Sequence, residues 1–439
     1  MNKLIYLLFI VFLLSGCSLN KNASFWSSSK VIDQEKDVDN KIADERKVFS
    51  KNKILIKEFN PKLEIKLDKN LNSKNTFADL TNNNGQLNFD TNLNRTSRYK
   101  FSKIKNFYQS EPEISFYKEN IIFFDNKGSV LNFDNNSKLI WKKNYYSKSE
   151  KKLLPVLQFA NNDKFLIVAD NIAKYYLINI KTGELVWMKN NIAPFNSQIK
   201  IFKDRFYIID FSNTLRCFSL KDGSEIWNIK TQNSLIKSQK KLSLVIVKDL
   251  IFFNNSIGDI SAANLNTGEL LWQLPTQNSL IYESTFSLET SDIITDNNSL
   301  FFSNNNNQLF SIDINTGNFN WEINVNSSLR STIVGDILFS ISKEGYLFLI
   351  DKNNGNIIRI TDLFNSFKVK KRNLIEPTGF IIGSNKIYLS TNNGRLLIVD
   401  ISTGKTISVL KIDNEKILRP LINNQNLYTV KDKAIIKLN

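Results

Sequence analysis

Short apolar runs separated by polar turns fill most of this chain. From residue 112 onward the runs are rich in Ile, Leu, Val, Phe and Tyr and end at Asn, Asp or Gly. The first four runs cover residues 113–117, 121–125, 130–134 and 139–142. Runs of this length between turn-forming residues are typical of an antiparallel meander. The pattern therefore predicts units of four short strands.

One nonapeptide recurs where the third strand of a unit turns into the fourth. It reads NIKTGELVW at residues 179–187. Related copies lie at residues 134–141, 219–227, 264–272, 313–321, 351–359 and 400–408. The glycine slots of successive copies are 38 to 49 residues apart, and Ser137 occupies the slot in the first copy. A period of roughly 40 to 50 residues is typical of β-propeller blades.

Two positions of the nonapeptide are predicted to be structural. Glycine allows the positive φ of a tight turn, where a β-carbon would be costly. Tryptophan on the outer strand should fill the wedge between neighbouring sheets, and truncating one when it is buried should cost roughly 3–5 kcal/mol. The turn glycines are Gly183, Gly223, Gly268, Gly317, Gly355 and Gly404, and the tryptophans are Trp141, Trp187, Trp227, Trp272 and Trp321. Blades six and seven carry Arg359 and Ser408 in the tryptophan slot, so we expect them to be the loosest.

The C-terminus indicates how the ring closes. After the seventh copy, residues 418–422, 427–430 and 434–438 supply three strands without a fourth. An open ring would expose a sheet edge and an apolar face. We therefore expect the missing strand to come from the N-terminal side, with residues 98–104 as the first candidate and residues 61–68 as the alternative. The predicted fold is an all-β, eight-bladed β-propeller of four-stranded antiparallel blades, closed by pairing of its N- and C-terminal strands.

The first residues are typical of a secretion signal. Residues 4–14 are eleven apolar residues behind Lys3, a run too short to span a bilayer and typical of a signal sequence. The stretch LSGC at residues 14–17 resembles the lipobox of bacterial lipoproteins. The resemblance implies a signal peptide over residues 1–16 and lipidation of Cys17.

The same resemblance indicates where the protein is anchored. Ser18 after the lipidated cysteine favours the outer membrane over the inner one. Residues 17–95 are rich in charged residues, Asn, Ser and Thr, and we expect a lipid-anchored polar tether that is partly disordered. The propeller is expected over residues 96–439.

Composition narrows the classes of function. The chain has 58 Lys and Arg against 42 Asp and Glu, for a formal charge of +16. This charge favours anionic lipid or acidic protein surfaces, since no nucleic-acid-binding motif accompanies it. With Cys17 lipidated, Cys217 has no disulfide partner and is expected to be a small buried apolar residue.

Catalytic chemistry has few candidate residues. The chain contains no histidine, which removes Ser-His-Asp and Cys-His sites and nearly all zinc sites. Asp134, Asp313, Asp351 and Asp400 recur beside the turn on different blades, so we expect them to hydrogen-bond the turn backbone. No Gly-rich phosphate loop is found. We predict no catalytic residue, no metal site and no cofactor.

Seven such nonapeptides behind a lipobox resemble the PQQ-like repeat β-propellers, and among them the BamB-like outer-membrane protein assembly lipoproteins. The resemblance implies a periplasm-facing, non-enzymatic scaffold of the BAM machinery that binds the POTRA domains of BamA, alongside other BAM components. It places partner contacts on loops here represented by Leu235, Ile236, Lys237 and Glu289. Lys237 stands where the family tends to have arginine, and Glu289 is single where the family has an acidic cluster.

Two other functions are compatible with the repeat. A PQQ-dependent quinoprotein dehydrogenase would need an axial calcium site of Glu, Asn and Asp, and often a vicinal cysteine pair that this chain cannot form. A cell-envelope binding module for peptidoglycan or anionic lipid would suit the positive charge. For the scaffold, an exposed blade edge is expected to retain unfolded outer-membrane proteins by strand addition.

Overall fold

The computed structural model describes residues 58–67, 83–85, 88–91, 93, 95–105, 107–233, 237–276 and 288–439. All of them belong to one compact unit, Glu58–Asn439. The expected signal peptide and Cys17 lie outside the described residues.

Blades one to four follow the chain in order, each as a sheet of four consecutive antiparallel strands. Their strands are β2 (Ser115–Tyr117), β3 (Asn120–Phe124), β4 (Val130–Phe133) and β5 (Leu139–Lys143); β6 (Leu157–Asn161), β7 (Phe165–Asp170), β8 (Lys174–Asn179) and β9 (Leu185–Asn190); β10 (Lys200–Phe202), β11 (Arg205–Ile209), β12 (Thr214–Ser219) and β13 (Glu225–Lys230); and β14 (Leu244–Val247), β15 (Leu250–Asn254), β16 (Ile260–Asn264) and β17 (Leu270–Leu274).

Blades five to seven repeat this order, and the eighth sheet joins the two ends of the chain. Their strands are β18 (Ile294–Thr295), β19 (Ser299–Asn304), β20 (Gln308–Asp313) and β21 (Phe319–Ile323); β22 (Thr332–Val334), β23 (Ile337–Ile341), β24 (Tyr346–Asp351) and β25 (Ile357–Asp362); β26 (Pro377–Ile382), β27 (Lys386–Thr391), β28 (Arg395–Asp400) and β29 (Thr406–Lys411); and β30 (Leu421–Asn423), β31 (Asn426–Lys431), β32 (Ala434–Leu438) and β1 (Arg95–Lys100). Three short helices interrupt the described loops: α1 (Phe107–Ser110), α2 (Lys148–Lys152) and α3 (Val369–Arg372).

The eight described sheets confirm the predicted all-β, eight-bladed propeller. The first strands, most of which are short, lie towards the ring axis, while the fourth strands lie at the periphery and are largely exposed. The second and third strands are almost wholly buried, because both faces of each sheet pack on neighbouring blades. The core is therefore a series of apolar layers between blades.

Ring closure uses the first of the two candidate segments. Strand β1 pairs with β32 in antiparallel register, with Arg98 opposite Ile436 and Tyr99 opposite Ile435. The bounds differ from the expected residues 98–104, because regular pairing starts at Arg95 and ends at Lys100. Residues 61–68 are not the closing strand.

The five repeat tryptophans each cover the turn glycine of the next blade, and three of them, Trp187, Trp272 and Trp321, also donate a hydrogen bond across the boundary. The indole Nε1 of Trp187 donates to the Leu220 carbonyl at 3.0 Å, and that of Trp272 donates to the Ile314 carbonyl at 3.1 Å. Both carbonyls belong to the residue after the first position of the next nonapeptide. The indole also covers the turn glycine, since a β-carbon at Gly317 would lie 2.6 Å from Trp272 Cδ2. The glycine is thus needed for space as well as for its φ of +74°.

Two boundaries replace tryptophan with another donor. Arg359 of blade six is fully buried, and its Nη2 donates to the Ile401 carbonyl at 3.3 Å, as an indole would. At the boundary of blades eight and one, the Tyr99 hydroxyl donates to the Asn135 carbonyl at 3.1 Å. None of the described tryptophans covers the turn at this second boundary, which leaves room for Ser137 with a φ of +62° in the glycine slot. Arg359 thus supplies a donor in the tryptophan slot of blade six, and the expected looseness of blades six and seven stays a prediction.

The described parts of the predicted tether lie against the propeller. Arg359 Nη1 donates to the Leu63 carbonyl at 2.7 Å, and the Ile65 amide donates to the Ser402 carbonyl at 3.0 Å. Phe89 is fully buried with its ring 5.0 Å from that of Tyr388. These contacts all lie on the end of the ring that carries the nonapeptide turns, which we call the turn face. Within the described ranges, no helix has the length and apolar character needed to cross a bilayer.

We predict that Gly317→Ala destabilises the ring more than Gly335→Ala. Gly335 has a φ of +60° and no atom within 4 Å of an added β-carbon, so it isolates the backbone cost of roughly 1–2 kcal/mol. Gly317→Ala adds the collision with Trp272, about 1–3 kcal/mol more. Thermal unfolding at one scan rate should show the larger fall in midpoint for Gly317→Ala. Equal falls would contradict the inter-blade role of the glycine.

Candidate functional site

The recurring aspartates do not form a catalytic site. Asp134 Oδ1 accepts the Asn136 amide at 2.9 Å, and Asp313 Oδ1 accepts the Asn315 and Thr316 amides at 2.9 Å. Asp351 and Asp400 accept turn amides in the same way. Each carboxylate therefore holds its own turn, as predicted, and the four are distributed over separate blades of the turn face.

The candidate docking residues lie at the opposite end of the ring, on the loops that join successive blades; we call this end the loop face. Leu235 and Ile236 are outside the described residues. Lys237 Nζ donates to the Phe211 carbonyl at 2.6 Å, and burial lowers the pKa of Lys237. Glu289 is exposed and accepts a hydrogen bond from Ser328 Oγ at 3.1 Å.

The structure brings the two predicted loops side by side. Ser238 Oγ donates to the Leu288 carbonyl at 2.5 Å, which joins the residue after Lys237 to the residue before Glu289. Both Ser238 and Leu288 are buried, so this bond joins the two loops below the protein surface. Residues separated by 52 positions in the sequence thus share one surface.

An exposed apolar residue on the neighbouring loop was missed by sequence reasoning. Ile192 is 93% exposed, the highest value among the exposed large apolar side chains of the described residues. Its loop is joined to the Lys237 loop through Phe211, whose amide donates to the Pro194 carbonyl at 2.7 Å. Ile192, Lys237 and Glu289 together define the loop-face patch. The signal in the sequence was a single isoleucine between two blades, outside any strand pattern.

A groove beside the patch leads towards the ring axis. Its volume is about 270 Å³. Its charged lining residues are Glu111, Lys240, Glu289, Lys343, Glu376 and Lys416. Lys240 is 2.9 Å from Glu111, and Lys343 is 3.6 Å from Glu376. The groove therefore offers charges of both signs beside the loop-face patch.

Deeper on the axis lies a smaller cavity of about 70 Å³. Its charged lining residues are Glu111, Glu113, Lys240, Lys241, Asp292, Arg330 and Arg419. Glu113, Asp292, Arg330 and Arg419 each stand two positions before the first strand of a blade, and Lys241 stands three before. Once the first strands were assigned, the charged residues just before them could have been predicted from the sequence to lie near the ring axis.

Neighbouring cations lower the pKa of two of the axial carboxylates, Asp292 and Glu111. Burial tends to raise the pKa of Asp292, but the nearby Arg330 and Arg419 guanidiniums lower it overall. Glu111 behaves similarly, since Lys240 and Lys416 more than offset its burial and lower its pKa. Burial and the like charge of Arg330 lower the pKa of Arg419 to about 9.

At the turn-face end of the ring axis, residues 83–84 of the N-terminal segment bind three neighbouring blades. Asn83 Nδ2 donates to the Ile246 carbonyl at 2.9 Å, and the Thr295 amide donates to the Asn83 carbonyl at 3.0 Å. The Ile333 amide donates to the Asn84 carbonyl at 2.9 Å. These bonds join the first strands of blades four, five and six on the turn face.

The axial residues do not fit a quinone cofactor with calcium. A cavity of about 70 Å³ is well below the roughly 300 Å³ at which small-molecule pockets begin. The carboxylates that could bind calcium are engaged by cations, with Glu113 2.7 Å from Lys241 and Asp292 3.5 Å from Arg419. Among the described residues, no group of three or more His, Cys, Asp or Glu is placed to hold a metal ion.

Two further buried groups have raised pKa values. Cys217 is fully buried, as expected, and burial raises its pKa to about 11. Asp170 is fully buried and accepts the Tyr146 hydroxyl at 2.5 Å and the Ile172 amide at 2.9 Å. Burial raises the pKa of Asp170 to about 6, against the lowering effect of these hydrogen bonds.

This shift predicts a pH dependence. The folded pKa of about 6 exceeds the unfolded value of about 3.9, so the folded state binds more protons between these values. Ionised Asp170 therefore removes roughly 3 kcal/mol of stability as pH rises through this window. Asp170→Asn should become progressively more stable relative to the wild type between pH 4.5 and 7 in denaturant unfolding.

Asp222→Asn serves as the control for this measurement. Hydrogen bonds from the Ser224 amide and hydroxyl lower the pKa of exposed Asp222 to about 2, so both states stay ionised above pH 4.5. Its stability difference from the wild type should be constant over the window. A constant difference for Asp170→Asn as well would contradict the assigned shift.

Comparisons with known proteins give a family and a fold. A family model described as outer membrane protein assembly factor BamB matches residues 126–361, more than half of the chain. No curated protein sequence matches the chain.

Among solved structures, BamB from Moraxella catarrhalis superposes with a TM-score of 0.64 at 15% identity, covering 79% of this chain and 100% of that one. The computationally designed Ika8 protein gives a TM-score of 0.58 at 12% identity, covering 77% and 99%. The quinohemoprotein alcohol dehydrogenase from Comamonas testosteroni gives 0.60 at 9%, covering 84% and 78%. At these identities the superpositions show the fold alone.

Proposed function

The chain belongs to the family of outer membrane protein assembly factor BamB, and from this premise we propose that it is a non-enzymatic scaffold lipoprotein of the β-barrel assembly (BAM) machinery. In this proposal Cys17 carries the lipid, the propeller faces the periplasm from the outer membrane, and the loop-face patch docks the POTRA domains of a BamA-like protein. Other BAM components would be recruited with it.

The observation that carries the proposal is the pairing of the two candidate loops. The Ser238 to Leu288 hydrogen bond holds them together from below, while Glu289 stays exposed above. Ile192 adds an apolar side chain that is 93% exposed. The joined loops thus present both an apolar side chain and a charged one, the mixed composition that protein interfaces have.

The blade periphery supports a finer part of the proposal, the retention of unfolded outer-membrane proteins. Among the described residues, the outer strands pair with a neighbouring strand on one edge only, except that Phe59 forms a bridge with Ile360 of β25. Several outer strands expose two adjacent apolar residues. Leu270 and Leu271 of β17 are 41% and 47% exposed, and Leu185 and Val186 of β9 are similarly exposed. A free strand edge with apolar side chains suits an extended chain that adds as a further strand.

The dehydrogenase alternative shares the fold but gains no support from the axial site. The axial carboxylates are engaged in ion pairs, and the cavity is too small for a tricyclic quinone. The positive charge that suits a cell-envelope binding module is shared with the scaffold, so it does not distinguish the two.

We predict that the tagged full-length protein, purified from detergent-solubilised membranes, brings a BamA-like protein with it in mass spectrometry. Ile192→Asp and Glu289→Lys should each lower the recovered partner about tenfold, as for a contact residue worth more than 1 kcal/mol. Glu269→Lys is the matched control. Glu269 is an exposed acid on the turn face of blade four, the blade that precedes the Glu289 loop.

Recovery of a periplasmic oxidoreductase or a cell-wall enzyme in place of the barrel protein would refute the scaffold proposal. Equal loss of the partner in all three variants would refute the patch while leaving the scaffold. In addition, a deletion strain should assemble outer-membrane barrels more slowly, and normal barrel content would count against the proposed role.

A further inference from the structure

Two loops of the loop face share one short pattern. In residues 144–156, which join blades one and two, helix α2 ends in two lysines and is followed directly by Leu153. In residues 363–376, which join blades six and seven, helix α3 ends in the three cations of residues 370–372, and Leu374 follows two positions later. Each of these two basic loops therefore places a leucine beside a group of cations.

The leucines and the lysines of the basic loops are exposed. Leu374 is 74% exposed and Leu153 is 61% exposed, and Ile192 alone exceeds them among the exposed large apolar side chains of the described residues. The exposed lysines are Lys148 and Lys152 in the first loop and Lys368, Lys370 and Lys371 in the second. Moving a leucine side chain from water into an apolar medium favours the transfer by about ten- to a hundredfold.

Acids within the basic loops do not cancel their charge. Residues 363–376 contain four cations and one acid, Glu376, which lies 3.6 Å from Lys343 of another blade. In the other loop, Glu150 lies 2.6 Å from Lys174 of strand β8. Both loops therefore present a positive surface around an apolar side chain.

The basic loops bound one arc of the ring. The shorter path between them runs over blades seven, eight and one, whereas the loop-face patch lies on the loops between blades two and five. Among the described residues, the other loops and turns of this arc on the loop face expose one acid, Glu415, against four lysines, Lys103, Lys105, Lys127 and Lys433. A positive arc with two apolar points at one end of the ring suits a flat anionic surface.

The composition of the basic loops favours lipid over protein as the partner. Protein interfaces are enriched in aromatic residues and arginine and depleted in lysine, and leucine is under-represented among their strongest contacts. None of the described aromatic side chains of these loops is exposed. Lysines around a leucine are instead typical of segments that lie at a membrane surface, where the cations contact anionic headgroups and the apolar side chain enters the acyl boundary.

We propose that the two basic loops bind the surface of an anionic phospholipid bilayer, with Leu153 and Leu374 inserted at the acyl boundary. The arc of blades seven, eight and one then faces the lipid, and the loop-face patch stays accessible to a protein. This contact goes beyond the docking role and rests on it only for the presence of a bilayer beside the chain. The contact also supplies the second signal that one lipid anchor needs for stable attachment.

The test is co-sedimentation with phospholipid vesicles of residues 18–439, which contain the whole compact unit Glu58–Asn439 and carry no lipid. The chain should bind vesicles of phosphatidylcholine with phosphatidylglycerol and should not bind vesicles of phosphatidylcholine alone. Binding should be strong at about 0.1 M salt and lost at about 1 M, because screening shortens the reach of the charges from roughly 10 Å to 3 Å. The assay contains no BAM protein, so its result and the docking proposal can fail separately.

The variants locate the contact on the loops. Replacing Lys368, Lys370 and Lys371 together with glutamine should weaken vesicle binding about a hundredfold, since each lysine near an anionic surface contributes about fivefold. Leu374→Ser should weaken it about tenfold. All these side chains are exposed, so each variant should unfold at the temperature of the wild type.

Matched controls come from the rest of the propeller. Replacing Lys181, Lys221 and Lys405 together with glutamine removes the same charge from exposed positions in nonapeptide turns on the turn face. Leu271→Ser removes a leucine that is 47% exposed on outer strand β17. Both control variants should bind anionic vesicles nearly as the wild type does.

Three results would overturn the proposal. The first is no binding of the wild type to anionic vesicles, or equal binding to phosphatidylcholine alone. The second is equal weakening by the two triple variants, since binding would then follow net charge and not the loops. The third is unchanged vesicle binding by the Lys368, Lys370 and Lys371 variant together with loss of a co-purifying acidic protein, which would assign the loops to a protein partner.

Discussion

The ring depends on one contact repeated across its blade boundaries. At five boundaries a tryptophan from the outer strand of one blade covers the turn glycine of the next. At some boundaries the side chain in this place also donates to the carbonyl that follows the first residue of the next turn. Trp187, Trp272 and Trp321 do this with indole nitrogens at 2.9 to 3.1 Å. Arg359 and Tyr99 make the same bond with different chemistry. The hydrogen bond to this carbonyl can therefore be made by tryptophan, arginine or tyrosine, provided that the donor reaches it from the outer strand.

This contact separates structural from functional positions. Because it lies on the turn face, the nonapeptide is constrained there in every copy. The loops between blades take no part in it and are free to differ, as function-bearing loops on a rigid scaffold usually are. The loop-face patch and the axial cavity both lie towards the loop face, whereas the described residues of the N-terminal segment contact the turn face. Superposable propellers can thus have different activities, because each is decided by loops that the fold does not fix.

Much of the architecture could be predicted from the sequence. The period of apolar runs and turn glycines predicts the blades, and the three unpaired strands at the C-terminus predict closure by an N-terminal strand. The contacts of residues 58–91 could not be predicted, since Phe89 and Asn83 bind positions hundreds of residues or many blades away. The role of Arg359 was hidden for a similar reason, because one of its partners is Leu63.

The candidate site was predictable only in part. Repeat alignment placed Lys237 and Glu289 on adjacent loops, and the structure joins those loops through Ser238 and Leu288. Repeat alignment could not indicate that Lys237 donates to the Phe211 carbonyl, or that Ile192 is exposed on the neighbouring loop. The axial charges are likewise scattered singly through the sequence, one or two per blade, and become a cluster only when the ring closes.

The central claim is that the loop face is where an outer-membrane assembly protein docks. Site-specific photo-cross-linking in intact cells tests it most directly, with the photoreactive residue at position 192 on the loop face or at position 269 on the turn face. If the loop face is the docking surface, an adduct with a BamA-like protein is expected from position 192 and none from position 269. An adduct from position 269 alone, or none with that protein from either position, would contradict it.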